Sequence, residues 1–282
     1  MTTVGLVAPG SMGAAVGACL TATGTSVVWS SDGRGSSTRA RAEAAGLRDA
    51  GTLRRLSAEV DIVLSVCPPH AAVETAEEIA AMGFDGIFVD ANAVAPATCR
   101  TIARIVEPSA RFVDGGIIGT PPTTPGRARL YLAGAGAKAV AALFDGSALE
   151  AVVLDENPPA ASALKLANAA WTKGSSALLF AVRAYAAANG VDTDLEREWS
   201  SSRPGLFERV RDTAPGVSSK AWRWVSEMEE IAEAFGEVRL PPDLHVGAAE
   251  IFRRLSRFKD ADGTSVNDVV GALLERPAPD GS

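Results

Sequence analysis

The feature that most limits what this chain can fold into is an alternation that fills its first half and then stops. Short β-branched and aliphatic runs (TVGLVA, SVVWS, DIVLSV, GIFVDA and RFVDGGII) take turns with alanine-rich stretches such as SMGAAVGACLTATG and TRARAEAAG. Both of those stretches close on a glycine, the residue that most easily adopts the left-handed turn after a helix. Strands separated by helices pair in parallel, because a helical crossover returns the chain to the same end of the sheet. The expected fold is therefore α/β, a doubly wound sheet, with RARLYLAG and LEAVVL as two further strands at its far edge. After Asn157 strand-like sequence ends. Helices are expected over about 160–189, 192–200, 204–213, 217–236 and 242–256, with Pro204, Pro215, Pro241 and Pro242 placed to start them. With 282 residues, more than one core usually holds, the chain divides into a doubly wound domain over 1–157 and an all-α domain over 158–275, linked by the long helix.

Composition narrows the function. A net charge of −7 argues against nucleic acid or an anionic membrane as partner. Three widely spaced cysteines, Cys19, Cys67 and Cys99, form no disulfide framework and suit a reducing compartment. No run of 18 apolar residues and no secretory pattern is visible, so a cytoplasmic protein is expected. His70 and His245 have no metal-ligand neighbours in sequence, which argues against zinc, and His70 reads as a loop or cap residue.

GLVAPGSMGAAVG follows the first strand and opens the first helix. Ala8, Gly10 and Gly13 hold the three glycine positions of a dinucleotide fingerprint. Pro9, Gly10, Ser11, Met12 and Gly13 are thus expected against a pyrophosphate, with the helix N-terminus facing the anion. At the end of the second strand, VVWSSDGRGSSTRAR puts Ser30 where NAD binders usually carry an acid. Ser30, Ser31 and Arg34, with Arg39 and Arg41 behind them, suit a 2′-phosphate and hence NADP, although Asp32 could serve NAD. SVCPPHAA and VDANAVAP would end two further strands, placing Cys67, Pro68 and Asn92 near the nicotinamide half, with Asn92 offering its amide to it.

The helix that begins in NPPAASALKLANAAWTKG is apolar over most of its circumference, yet Asn168, Thr172, Lys165, Arg183 and Ser176 fall within about an 80° arc at 100° per residue. From Asn157 to Val191 there is no Asp or Glu, while Lys165, Lys173 and Arg183 are cationic. A solvent-facing helix normally mixes signs. The stripe is therefore expected to line a cleft that receives a small anion, with Lys165 the candidate acid/base, its pKa lowered by partial burial. Trp171, Trp199, Trp222 and Trp224 read as core or subunit-contact residues. An all-α domain of this kind often completes its core with a second copy, so a homodimer is expected.

The chain resembles the β-hydroxyacid dehydrogenases, the group that includes 3-hydroxyisobutyrate and 6-phosphogluconate dehydrogenases. GLVAPGSMG is similar to their G-x-x-G-x-G-x-M-G, with Ala8 the departure, and KLAN to their K-x-x-N. VDGGIIGTPP lies where they carry a Ser-Gly-Gly substrate loop, and KAWRWVSEMEEIA looks like the C-terminal domain of a bacterial branch. The resemblance implies a Rossmann-type fold, a nicotinamide cofactor and a dimer. It also implies Lys165 as general acid/base, Asn168 orienting substrate, and Ile118, Gly119 and Thr120 as one wall of the pocket. Trp171, Thr172 and Lys173 are possible others. Two departures stand out: Ile118 replaces the family serine that contacts the substrate carboxylate, and PPAAS replaces the glycine-rich run before the lysine. DGGIIGTPPTTPG also resembles the matching segment of imine reductases, which usually carry Asp or Tyr in place of Lys165. The expected activity is NADP-linked oxidation of a small hydroxy acid or related alcohol. An imine reductase and a non-catalytic NADP sensor are the alternatives.

Overall fold

The computed structural model describes residues 2–154, 157, 159–259 and 261–275. Pro158 and the tail RPAPDGS lie outside the described residues. The chain divides into two compact units, Met1–Leu166 and Ala167–Ser282.

The first unit runs β1 (Thr3–Val7), α1 (Ser11–Ala22), β2 (Ser26–Trp29), α2 (Ser36–Ala44), β3 (Arg48–Asp49), α3 (Leu53–Glu59), β4 (Ile62–Ser65), α4 (Ala72–Ala81), β5 (Ile87–Asp90), α5 (Pro96–Val106), β6 (Arg111–Gly119), β7 (Ala128–Ala133), α6 (Ala137–Ala142) and β8 (Glu150–Val153). The strands form one sheet in the order β3-β2-β1-β4-β5-β6-β7-β8. The first six are mutually parallel; β7 pairs antiparallel to β6, and β8 runs parallel to β7. Strand order reverses between β1 and β4, the switch point where ligands bind in open α/β sheets.

Side-chain alternation explains why both faces are covered. Val4, Leu6, Ile62, Leu64, Ile87 and Val89 point into one core, shared with α1 residues such as Val16 and Leu20. Val7, Val63, Phe88 and Phe112 point into the other, against Leu56 of α3, Ile79 of α4 and Ile102 of α5. Each such burial is worth roughly 1.5–3 kcal/mol. The two-residue β3 is not visible in the hydrophobic pattern, because both of its residues are polar and exposed.

From the first unit into the second runs α7 (Ala160–Ala188). The second unit continues with α8 (Asp192–Ser202), α9 (Leu206–Ser218), α10 (Ala221–Glu237), α11 (Asp243–Leu255) and α12 (Val266–Leu274). Two expectations need correction. Pro215 does not start a helix but lies inside α9, which therefore runs past the expected 213. The α12 helix follows where none was expected, started by a capping box between Ser265 and Asp268. Phe252 of α11 is fully buried, with Trp224 edge-on to it at 5.2 Å. Trp171 and Trp222, by contrast, are 67% and 41% exposed in the single chain, so neither is a core residue there. Among the described residues, no helix is long and apolar enough to cross a membrane.

Candidate functional site

The turn between β1 and α1 is built as the fingerprint requires, by a route of its own. Ala8, at the first glycine position, adopts φ +61°, a left-handed conformation that costs an L-residue roughly 1–2 kcal/mol. Its carbonyl then accepts from Gly10 N at 2.7 Å. A Cβ on Gly13 would stand 2.8 Å from that same oxygen, so only glycine lets α1 begin this close to the turn. Helix α1 has no side-chain cap and no acid in its first turn. The N-terminal amides and their partial positive charge are therefore left for an external anion, which fits a pyrophosphate. Ser11 is exposed there, Met12 packs half-buried on the core, and Pro9 is buried.

At the ends of β1 and β2 lies a cavity of about 510 Å³ lined by Val7, Ala8, Ser30, Asp32, Gly33, Arg34, Thr52, Leu53, Arg54, Glu78 and Met82. The structure thus brings Ser30 and Arg34 together with Ala8, as a nucleotide's ribose end would need. Ser31 does not join them. It is buried, and its backbone N–H donates to Asp49 Oδ1 at 3.2 Å. Arg39 and Arg41 turn back onto the backbone: Arg39 donates to the carbonyls of Ser31 and Arg34, and Arg41 to Pro9. Arg54, unforeseen in the sequence, takes up a place in the cavity from the first turn of α3. Its signal was the paired arginines of GTLRR after a glycine, hidden because β3 itself is too short to read.

Cys67 and Asn92 do come together, in another role than expected. Asn92 is 2% exposed and its amide is used internally: Oδ1 accepts from Cys67 N at 2.6 Å, while Nδ2 donates to Ser65 Oγ at 3.0 Å and to Asp90. It braces the loop after β4 against the end of β5 instead of offering its amide outward. Pro68, exposed, and His70 lie at a short 3-10 turn over Pro69–Ala71.

The end of β5 and the middle of β6 hold two aspartates that sequence reading passed over. Asp114, wholly buried, caps α7: its carboxylate accepts from Ala161 N at 2.7 Å, from Ser162 N at 3.0 and 3.2 Å, and from Ser162 Oγ at 2.5 Å. Asp90, 1% exposed, is its register partner across the strands. Burial, and next the charge of Asp114, pushes the Asp90 carboxyl up to about 7, against hydrogen bonds from Asn92 and the charge of Lys165. Lys165 itself is half-buried, and its Cβ lies 3.3 Å from where a Cβ on Gly116 would stand. Gly116 therefore lets α7 approach β6 and sets Lys165 beside the strand ends. Each Asp follows a buried Phe-Val pair, in FVDA and FVDGG, and a carboxylate directly after such a pair was the available signal.

Along the rest of β6, Ile118 is half-buried, while Gly119 and Thr120 are exposed at the head of the loop leading to β7. In the second unit Asn168, Trp171 and Thr172 are exposed, with Thr172 Oγ1 donating to the Asn168 carbonyl at 3.0 Å. The cation-only stripe of α7 does not survive folding. Lys173 pairs with Glu227 of α10 and Arg183 with Asp192 of α8, the latter at 2.7 Å. The missing carboxylates come from other helices, so the stripe as a whole is no anion funnel.

Residues 186–255 match the family model described as "Domain of unknown function (DUF1932)". No curated protein matches the chain. Among solved structures, the conserved protein MTH1747 of unknown function, described as structurally similar to 3-hydroxyacid dehydrogenases, is 25% identical. The match covers 90% of this chain and 97% of that one, with a TM-score of 0.73. The 3-hydroxyisobutyrate dehydrogenase of Mycobacterium tuberculosis, solved with L-serine, is 16% identical over 98% and 100% of the chains at a TM-score of 0.76. The reductive aminase of Aspergillus terreus, in complex with NADPH and ethyl levulinate, is 18% identical over 97% and 98% at 0.57. The chain thus has the Rossmann-type fold, with a helical C-terminal region, that 3-hydroxyisobutyrate dehydrogenases and imine-reducing enzymes share.

Proposed function

We propose that the chain is an NADP-dependent oxidoreductase that interconverts a small β-hydroxy acid and the corresponding carbonyl compound, with Lys165 as general acid/base. The observation that carries the reading is Lys165 on α7, its Cβ close to Gly116 of β6, in a unit whose first helix has an uncapped N-terminus. The amides of Ser11, Met12 and Gly13 would hold the pyrophosphate, and Ser30, Arg34 and Arg54 the phosphorylated ribose. NADP supplies the hydride acceptor. Lys165 as the neutral amine takes the proton of the substrate hydroxyl at Nζ as the carbon is oxidised, and as the ammonium returns it in the reverse direction. Asn168, one turn further along α7, would hydrogen-bond the reacting oxygen or a neighbouring carboxylate. Ile118, Gly119 and Thr120 would bound the substrate, with an apolar contact where the resembled family has a hydroxyl. L-serine, the ligand of the structural neighbour at a TM-score of 0.76, is itself a β-hydroxy acid. The reductive aminase lies further away, at 0.57. The expected homodimer belongs to the same reading, because Trp171, Leu178 and Tyr185 recur every seven residues on α7 and all three are exposed.

The test is turnover with NADP(H) across two panels, β-hydroxy acids with their carbonyl forms and cyclic imines. Activity on the first panel, falling roughly 10²–10⁴-fold in Lys165→Ala with NADPH binding retained, is expected. Turnover of imines alone would replace this reading by an imine reductase. Tight NADPH binding without turnover on either panel would replace it by a sensor.

A further inference from the structure

The mechanism above leaves Asp90 unused, and a buried carboxylate of this kind needs an account. Asp90, at the end of β5, and Asp114, within the adjacent β6, are register partners, and both are closed off from solvent. Two carboxylates so placed do not both ionise without a large penalty, so their surroundings decide which one carries the charge. Those surroundings differ sharply. Asp114 receives three donors, two of them backbone amides at the N-terminus of α7, where the helix dipole favours an anion. The two backbone amides can only donate, so each needs a lone pair on Asp114. Asp90 receives the Asn92 amide on Oδ1, whereas its Oδ2 has no hydrogen-bond partner. A carboxyl with one oxygen bonded and the other bare is the member of the pair suited to hold a proton.

Among the described residues, the charged and titratable groups that interact with Asp90 come from four elements: Asp114 on β6, Lys165 on α7, Cys67 in the loop after β4, and Cys99 on α5. Burial pushes both thiols upward, so they stay neutral near pH 7. Lys165 is the cation in this set. Each proton on Asp90 removes the negative charge that favours the ammonium form of Lys165. Each proton on Lys165 in turn favours the Asp90 carboxylate.

We propose that Asp90 is the positioning residue of the site, a buried proton holder whose charge state is coupled to that of Lys165. Only a proton changes place in this scheme: with one proton shared, the pair exchanges between carboxylic acid with amine and carboxylate with ammonium. Asp114 holds the start of α7 in place. The inference deepens the proposed general acid/base role of Lys165 and rests on it for its functional meaning, but the coupling can be read without any turnover.

The experiment is an NMR titration of the intact chain labelled with ¹³Cγ-aspartate, from pH 4 to 9, with Asp90 assigned by its absence in Asp90→Asn. The expected result is a buried carboxyl with its midpoint near 7. That midpoint should rise in Lys165→Met, where the cation is lost, and return toward the original in Lys165→Arg. Far-ultraviolet circular dichroism of each variant reports folding. If Lys165→Met does not fold, NADPH-free Lys165→Gln carries the same comparison. A midpoint below 5 in the unmodified chain, or one that Lys165→Met leaves in place, overturns the proposal. Intact coupling without turnover on either substrate panel would sink the oxidoreductase reading and spare the coupled pair. Lys165-dependent turnover without coupling would do the reverse.

Discussion

Gly10 and Gly13 occupy neighbouring fingerprint positions, and the geometry assigns them different jobs that two substitutions can separate. In Gly13→Ala the new methyl carbon would stand 2.8 Å from the Ala8 carbonyl oxygen, a backbone atom, with Val66 Cβ at 3.6 Å on another side. Ala8 is held at φ +61° and has little freedom to yield. Overpacking of this sort costs roughly 1–3 kcal/mol, against about 1 kcal/mol that alanine returns through its helix propensity. The net expectation is a loss of up to about 2 kcal/mol, which in a chain of this size lowers the melting temperature by several degrees. Gly10→Ser is the contrast. A Cβ there meets nothing closer than the Ala8 oxygen at 4.0 Å, and the backbone, at φ −66° and ψ −166°, is open to any residue. Serine is also a better N-cap than glycine, so this variant should melt at or slightly above the temperature of the unmodified chain. Its hydroxyl would, however, occupy the α1 amides and put a side chain where the pyrophosphate is expected. NADPH affinity should fall tenfold or more. Scanning calorimetry and NADPH fluorescence titration read the two effects. If Gly13→Ala melts unchanged while Gly10→Ser is the destabilised one, the turn geometry has been misjudged. If Gly10→Ser binds NADPH normally, the anion does not sit on α1.

Two further outcomes follow from the charges. Arg34→Ala and Arg54→Ala should each weaken NADPH about ten- to a hundredfold, the worth of a charge-assisted hydrogen bond to phosphate, while NADH binding changes little. Equal losses for both cofactors would leave Asp32 and a bare ribose as the better account of the cavity. In the second unit, burial, and next the charges of Glu227 and Glu233, pushes Glu230 up to about 7. A carboxyl raised in this way is protonated in the fold and ionised in the unfolded chain across about pH 4.5 to 7, so the fold loses stability as pH rises through that window. Glu230→Gln should therefore be more stable than the unmodified chain at pH 8 and indistinguishable near pH 4.5 in urea unfolding. A gap that widens toward acid would contradict the assignment.

How much was legible in the sequence depended on whether the physical cause was local. Seven strand-length runs announce themselves by alternation or by continuous aliphatic character, and each of them corresponds to a strand of the sheet; β6 and β7 do so although they pair antiparallel. The remaining strand, β3, is two polar residues held by pairing to Val28 and Trp29, which no hydrophobic pattern could reveal. Pro215 misled because proline is so often a helix starter, whereas α9 takes it inside. Asn92 was visible as a polar residue at a strand end. Its true partners, Cys67 and Ser65, lie 25 and 27 positions away in the chain. The α7 cations failed for the same reason: Glu227 is 54 residues from Lys173, and no helical wheel contains it. Lys165 stood out because a charge on an apolar helix is a local anomaly, while Asp90 and Asp114 matter only through being side by side.

The fastening of α7 onto Asp114 bears on where this chain can be cut. Composition changes at Asn157, and a truncation there would look natural. It would strip Asp114 of the Ala161 and Ser162 donors and leave a carboxyl sealed in the sheet without its helix partners. A separately expressed first unit must therefore carry the opening turns of the long helix with it, through Leu166, as an integral part of its own architecture.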